Sequence, residues 1–112
     1  MEKLKSVEQF REITEKEAAV FLFSADWCPD CRAIEPDLPR IEADFPSFSF
    51  YYVDRDEFID LCGELAIFGI PSFIAYAGGN EVDRFVSKDR KTAEEIEQFL
   101  LELRQKAPES CV

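Results

Sequence analysis

The run Phe21-Leu22-Phe23-Ser24-Ala25-Asp26-Trp27-Cys28-Pro29-Asp30-Cys31 constrains this chain more than any other stretch. An apolar segment stops abruptly, two cysteines follow three positions apart, and residues 32–45 then have helical character. Between a strand and a helix, C-x-x-C reads as a redox pair. With Cys28 capping the helix and Cys31 in its first turn, the two Cα atoms fall within disulfide range, near about 5.5 Å. Pro29 takes the first helical position, where its missing N–H is not needed and its fixed φ suits the helix. The free N–H groups of that turn face the Cys28 sulfur and favour its thiolate. The pair is a candidate centre for thiol–disulfide exchange. The competing reading, half of a zinc site, lacks partners: the chain has no second C-x-x-C and no histidine.

A chain of 112 residues is expected to form one domain, 1–112, that buries roughly two-thirds of its unfolded surface. Eleven phenylalanines with many Ile, Leu and Val supply a core without disulfide staples. The net charge of −11, from 13 basic and 24 acidic residues, argues against nucleic acid and anionic membranes and mildly favours neutral or basic protein partners. The bland account of that charge is a solvated surface. The longest apolar run, 18–23, is too short to span a bilayer. The N-terminal residues lack the apolar core of a signal peptide. The expectation is a cytoplasmic monomer, since a reducing cytosol suits four cysteines of which two are closely spaced.

In chain order, 2–5 offers a weak strand, and 6–17 a helix capped by Ser6 with Gln9, its apolar face at Val7, Phe10 and Ile13. Residues 18–24 read as a strand covered on both faces. From Pro29 a helix carries Ala33, Ile34, Leu38, Ile41 and Phe45, bent by Pro36 and Pro39 and ended by Pro46. Residues 47–53 are a third strand. Residues 56–65 form a short helix interrupted by Gly63, with Phe58, Leu61, Cys62 and Leu65 on one face. Strand 72–77, a turn at 78–80 and strand 81–86 make a hairpin. Thr92 and Glu95 cap a last helix through Ile96, Phe99, Leu100 and Leu103, and 105–112 is expected to be a loose tail. Cys62 reads as a core residue, and Cys111 as a free thiol on the tail.

The order α-β-α-β-α-β-β-α implies an α/β fold, a mixed sheet with helices on both faces. Over nearly its whole length the chain resembles the thioredoxin-fold family. The residues that carry the likeness are Trp27-Cys28-Pro29-Asp30-Cys31, Pro36, Ile70-Pro71 before the fourth strand, and the Gly78-Gly79 hairpin. The Pro-Asp pair is similar to small thioredoxin-related proteins with a Trp-Cys-Pro-Asp-Cys motif. The resemblance implies a central sheet of four to five strands. It also implies that Cys28 attacks a substrate disulfide and that Cys31, one turn in and more buried, resolves the mixed disulfide. Ile70-Pro71 would be cis and face the dithiol, with Ile70 pairing its backbone to an extended substrate. Trp27 and Pro29 would complete the docking surface, although Trp27 also reads as a rim packing residue. No bound cofactor is implied; electrons would come from a thioredoxin-reductase-type partner, and substrates would be disulfide-containing proteins or small disulfides. The alternative is an interaction module whose dithiol senses redox state without turnover.

Three departures from the family pattern stand out. Leu22 occupies the strand position where thioredoxins carry a buried acid, which makes Asp30 a candidate proton acceptor and Asp26 a weaker one. No glycine follows Gly79, so Arg84 or Phe85 is expected to narrow the docking groove. Asp30 also adds a charge about one turn from the Cys28 sulfur. At roughly 6 Å its repulsion is on the order of 1–3 kcal/mol, comparable with the roughly 0.3–2 kcal/mol of a helix end.

Overall fold

The strand β2 (Ala19–Ser24) is buried at every position and lies at the centre of a five-stranded sheet. The structure, a computed structural model, describes residues 1–87 and 89–106. Preceding β2 are β1 (Glu2–Lys3) and α1 (Val7–Lys16). After it come α2 (Pro29–Ile34), a 3-10 turn at Glu35–Asp37, and α3 (Leu38–Asp44). Then follow β3 (Ser49–Asp54), α4 (Ile59–Glu64), the hairpin of β4 (Ser72–Ala77) with β5 (Asn80–Phe85), and α5 (Ala93–Lys106). The strand order is β1-β3-β2-β4-β5, parallel across the first three and antiparallel for the last two. The sheet is mixed and five-stranded.

Because side chains alternate along a strand, β2 serves two cores. Val20 and Leu22 join Phe73 and Ala75 against Ile34 and Ile41 of the α2–α3 segment and Ile96, Phe99 and Leu100 of α5. Phe21 and Phe23 join Tyr51, Val53 and Ile74 against Phe10 and Ile13 of α1 and Leu61 and Cys62 of α4. Phe21 stacks on Tyr51 at 5.6 Å and meets Phe10 at 4.7 Å. Among the described residues, no helix is long and apolar enough to cross a membrane.

Local signals explain most boundaries. Ser6 Oγ accepts from Gln9 N at 3.0 Å, while the Gln9 side chain accepts from Lys5 N rather than from the cap residue. Thr92 and Glu95 form the full reciprocal box, at 3.1 and 3.0 Å. Gly78 and Gly79 have φ of +63° and +85°, the two-residue turn that suits a hairpin, so Asn80 opens β5 instead of completing the turn.

Four expectations change. Pro36 and Pro39 divide the predicted helix rather than bending it: Pro36 sits in the 3-10 turn, and Pro39 falls in the first turn of α3, where no N–H is needed. The helix expected from 56 starts at Ile59, because the Asp54 carboxylate accepts from Asp56 N and Glu57 N and holds a turn first. Gly63 lies inside α4 without interrupting it. Residues 105–106 belong to α5, and Lys106 Nζ bonds Asp83 at 2.6 Å. The rest of the expected tail, with Cys111, lies outside the described residues.

Candidate active site

The parallel strands β2 and β3 end on the same side of the sheet, and the connections leaving them build the site. Beyond β2 the chain turns through Ala25, whose carbonyl accepts from Cys28 N at 3.2 Å. Cys28 is the N-cap of α2: its backbone is extended, its sulfur accepts from Cys31 N at 3.2 Å, and Pro29 follows at the first helical position. The sequence-derived cap geometry is therefore present. Both cysteines are free, and Cys28 is 5% exposed against 1% for Cys31.

Their environments differ more than their exposures. The Cys28 sulfur lies 3.9 Å from the carbonyl of Ile70. Ile70 and Ala25 pack with the two cysteines in one small cluster. The Ile70-Pro71 bond is cis. Burial, followed by the neighbouring Cys28, pushes the Cys31 thiol up to about 11, while the Ser24 side chain draws it back down. Cys28 thus has a backbone donor on its sulfur, whereas Cys31 is held as the neutral thiol.

Trp27 is 57% exposed beside the dithiol and is clamped. Its indole Nε1 donates to Asp56 Oδ2 at 2.7 Å, and the Arg55 guanidinium lies over its ring at 5.1 Å. Sequence reasoning missed Arg55 and Asp56. The signal was the charged Asp54-Arg55-Asp56 run directly after a buried strand, at the strand end where α/β sites gather. Phe68, two residues before Ile70, is 86% exposed.

Asp30 turns to Arg90, with Oδ1 3.4 Å from Nε. Among the described residues it makes no hydrogen bond to either sulfur. The loop carrying Arg90 is stapled by Lys91, which is 2% exposed. Its ammonium donates to Ser87 O, Ser87 Oγ and Asp89 O at 3.1–3.2 Å and sits 5.1 Å over the Phe85 ring. Burial lowers the Lys91 pKa. The groove-narrowing role expected of Arg84 or Phe85 is not what those residues do. Arg84 bonds Leu65 O and Glu81, and Phe85 packs on Phe73 and Phe99. It is Arg90 that reaches the dithiol's helix. Cys62 is buried as expected, and burial raises its thiol pKa.

The family model for thioredoxin matches residues 2–102. Mitochondrial thioredoxin-2 of Schizosaccharomyces pombe is 30% identical over 96 residues, covering 82% of this chain and 72% of that protein. Thioredoxin H2 of Arabidopsis thaliana is 31% identical over 96 residues, covering 85% and 70%. Among solved structures, the crystal structure of thioredoxin from Trypanosoma brucei brucei superposes with a TM-score of 0.80 at 28% identity, covering 92% of this chain and 89% of the other.

Proposed function

Because the chain belongs to the thioredoxin family of thiol–disulfide oxidoreductases, we propose that Cys28 is its attacking thiol and Cys31 its resolving thiol. The observation that carries this assignment is the asymmetry between the two sulfurs. The Cys28 sulfur accepts the Cys31 N–H, which stabilises negative charge there. The Cys31 thiol is buried and pushed up to about 11, which keeps it protonated until the second step.

In the first step the Cys28 thiolate attacks one sulfur of a substrate disulfide. A bond forms between protein and substrate, and the other substrate sulfur leaves as a thiolate. In the second, Cys31 loses its proton and attacks the Cys28 sulfur, and the remaining substrate thiolate departs. The substrate gains two electrons and the protein keeps a Cys28–Cys31 disulfide. A thioredoxin-reductase-type partner then returns it to the dithiol.

Ile70, Pro71, Trp27 and Pro29 frame the dithiol as the docking surface in this reading. Ile70 offers backbone to an extended substrate, and the Asp56–Arg55 clamp holds Trp27 in place. Asp30, balanced by Arg90, sets the local charge. A protein disulfide is the substrate class, and the cytoplasm is the compartment, where such a pair stays reduced. Turnover with NADPH, a thioredoxin reductase and a disulfide-bonded protein tests the reading. Steady NADPH consumption that disappears in Cys28→Ser supports it, and consumption unaffected by that substitution contradicts it.

A further inference from the structure

In the loop before Ile70, the burial of one residue goes with the exposure of the next. Helix α4 ends in a paired cap. Ala66 takes the left-handed conformation, with φ of 59°, and its N–H donates to Gly63 O at 3.2 Å, while Ile67 N donates to Cys62 O at 2.8 Å. The Ile67 side chain turns inward and joins the cluster of Phe58, Leu61 and Cys62. Phe68 comes next and stands in solvent, 86% exposed. Of the large apolar side chains among the described residues it is the most exposed, ahead of Trp27 at 57% and Ile59 at 52%.

A single apolar side chain in solvent needs no function by itself. Two features set Phe68 apart. The backbone on either side of it is tied down: Arg84 Nη1 donates to Leu65 O at 2.8 Å, and Ser72 Oγ donates to Gly69 O. The ring is therefore displayed on a braced loop, and little ordering remains to oppose binding. The second feature is its place. Phe68 lies two positions before Ile70, whose carbonyl is 3.9 Å from the Cys28 sulfur and whose backbone is the edge offered to a substrate strand. In an extended chain two positions span roughly 6.6 Å, and residues that far apart share a face. A substrate whose cysteine lies opposite Ile70 therefore brings a residue about two positions away to Phe68. A small disulfide has no residue to place there.

We propose that Phe68 is a specificity-determining residue for disulfide reduction, selecting protein segments that carry a large apolar side chain two positions from the cysteine under attack. The proposal rests on Cys28 as the attacking thiol and on docking along Ile70. The occupant is an extended segment of a disulfide-bonded protein, continuous with the docking surface around the dithiol. As the segment adds to the Ile70 edge, its apolar residue covers the Phe68 ring. Removing both apolar surfaces from water favours that complex, whereas a polar residue at the same position gains nothing from the ring. Phe68 takes no part in the bond changes. The Cys28 thiolate attacks the substrate sulfur nearer the segment, and the other sulfur leaves as a thiolate. The contribution of Phe68 falls on how tightly the segment is held before attack.

The test uses short peptides, each with one cysteine joined by a disulfide to thionitrobenzoate. Attack by Cys28 at the peptide sulfur bonds the peptide to the protein and releases thionitrobenzoate, whose colour gives the rate. Peptides with Phe or Ser two positions before the cysteine are compared, and likewise peptides with Phe or Ser two positions after it. Each rate is divided by the same protein's rate with dithiobis-nitrobenzoate, which is too short to reach Phe68. At low peptide concentration the Phe peptide of one pair should react at least about tenfold faster than its Ser counterpart. The gap should narrow as the peptides saturate the protein. The preference should fall below about twofold in Phe68→Ser and survive in Phe68→Leu, which keeps an apolar side chain. Equal rates within both pairs for the wild-type protein overturn the proposal, and so does a preference that Phe68→Ser retains. A wild-type dimer at the assay concentration that Phe68→Ser dissociates would make a second copy of this chain the occupant, and overturns it too. Release at the wild-type rate in Cys28→Ser would instead defeat the assignment of the attacking thiol.

Discussion

The backbone N–H of Cys31 donates to the Cys28 sulfur at 3.2 Å, so the inner cysteine supports the outer one through its amide while its own thiol stays protonated. Exposure separates the two only slightly, at 5% and 1%; the environment of each sulfur separates them more. Iodoacetamide at neutral pH should therefore modify Cys28 at least about tenfold faster than Cys31. Peptide mapping after partial alkylation measures the ratio, and equal rates would remove the asymmetry.

Stability at high pH should carry the signature of Cys31. Its pKa rises from about 9 unfolded to about 11 folded, so the folded state holds the proton more tightly. The contribution is present below about pH 9 and is lost as pH climbs toward 11. Tyr51, pushed up to about 12 by burial and its bond to Glu17, adds a loss between about 10 and 12. In Cys31→Ser the fall between 9 and 11 should be shallower in denaturant titrations at stepped pH. An unchanged slope would mean that burial does not hold that proton.

The Asp56 carboxylate fixes the chain's one tryptophan. Asp56→Ala should release the indole, lower its fluorescence anisotropy, and destabilise the fold by about 1 kcal/mol. Reduction of a protein disulfide should fall more than reduction of a small one, since only the former uses the docking surface. Anisotropy equal to wild type would show that Arg55 stacking alone holds Trp27.

Asp30 and Arg90 balance one another at 3.4 Å. Asp30→Asn leaves the guanidinium's positive charge uncompensated near the thiolate and should speed Cys28 alkylation by about 2–5-fold, more at low salt. Alkylation at the wild-type rate would show that the charge balance at Asp30 is not felt at the Cys28 sulfur.

Where the sequence was legible, the physics was local. Ala19–Ser24 could be recognised as a doubly covered strand because every side chain there is buried. Ser6, Thr92 and Cys28 could be recognised as caps because a cap needs only the next turn. The family likeness added the position of Ile70-Pro71 against the dithiol. The misread segments arose where a second local force competed. Asp54 holds 55–58 in a turn before α4 can start, and two prolines split one apolar stripe into α2 and α3. Contacts set by tertiary register were not readable. The Asp30–Arg90 pair joins distant parts of the chain. The placement of Tyr52 beside Leu22 needs the β2–β3 pairing, which no window of sequence contains.

The division of labour between the two sulfurs is tested most directly by trapping. Cys31→Ser and Cys28→Ser proteins, each reduced and mixed with a disulfide-bonded protein, are quenched with acid and read by intact mass. Cys31→Ser should accumulate a mixed disulfide through Cys28, while Cys28→Ser should remain free. Accumulation in Cys28→Ser, or comparable accumulation in both, would contradict the account.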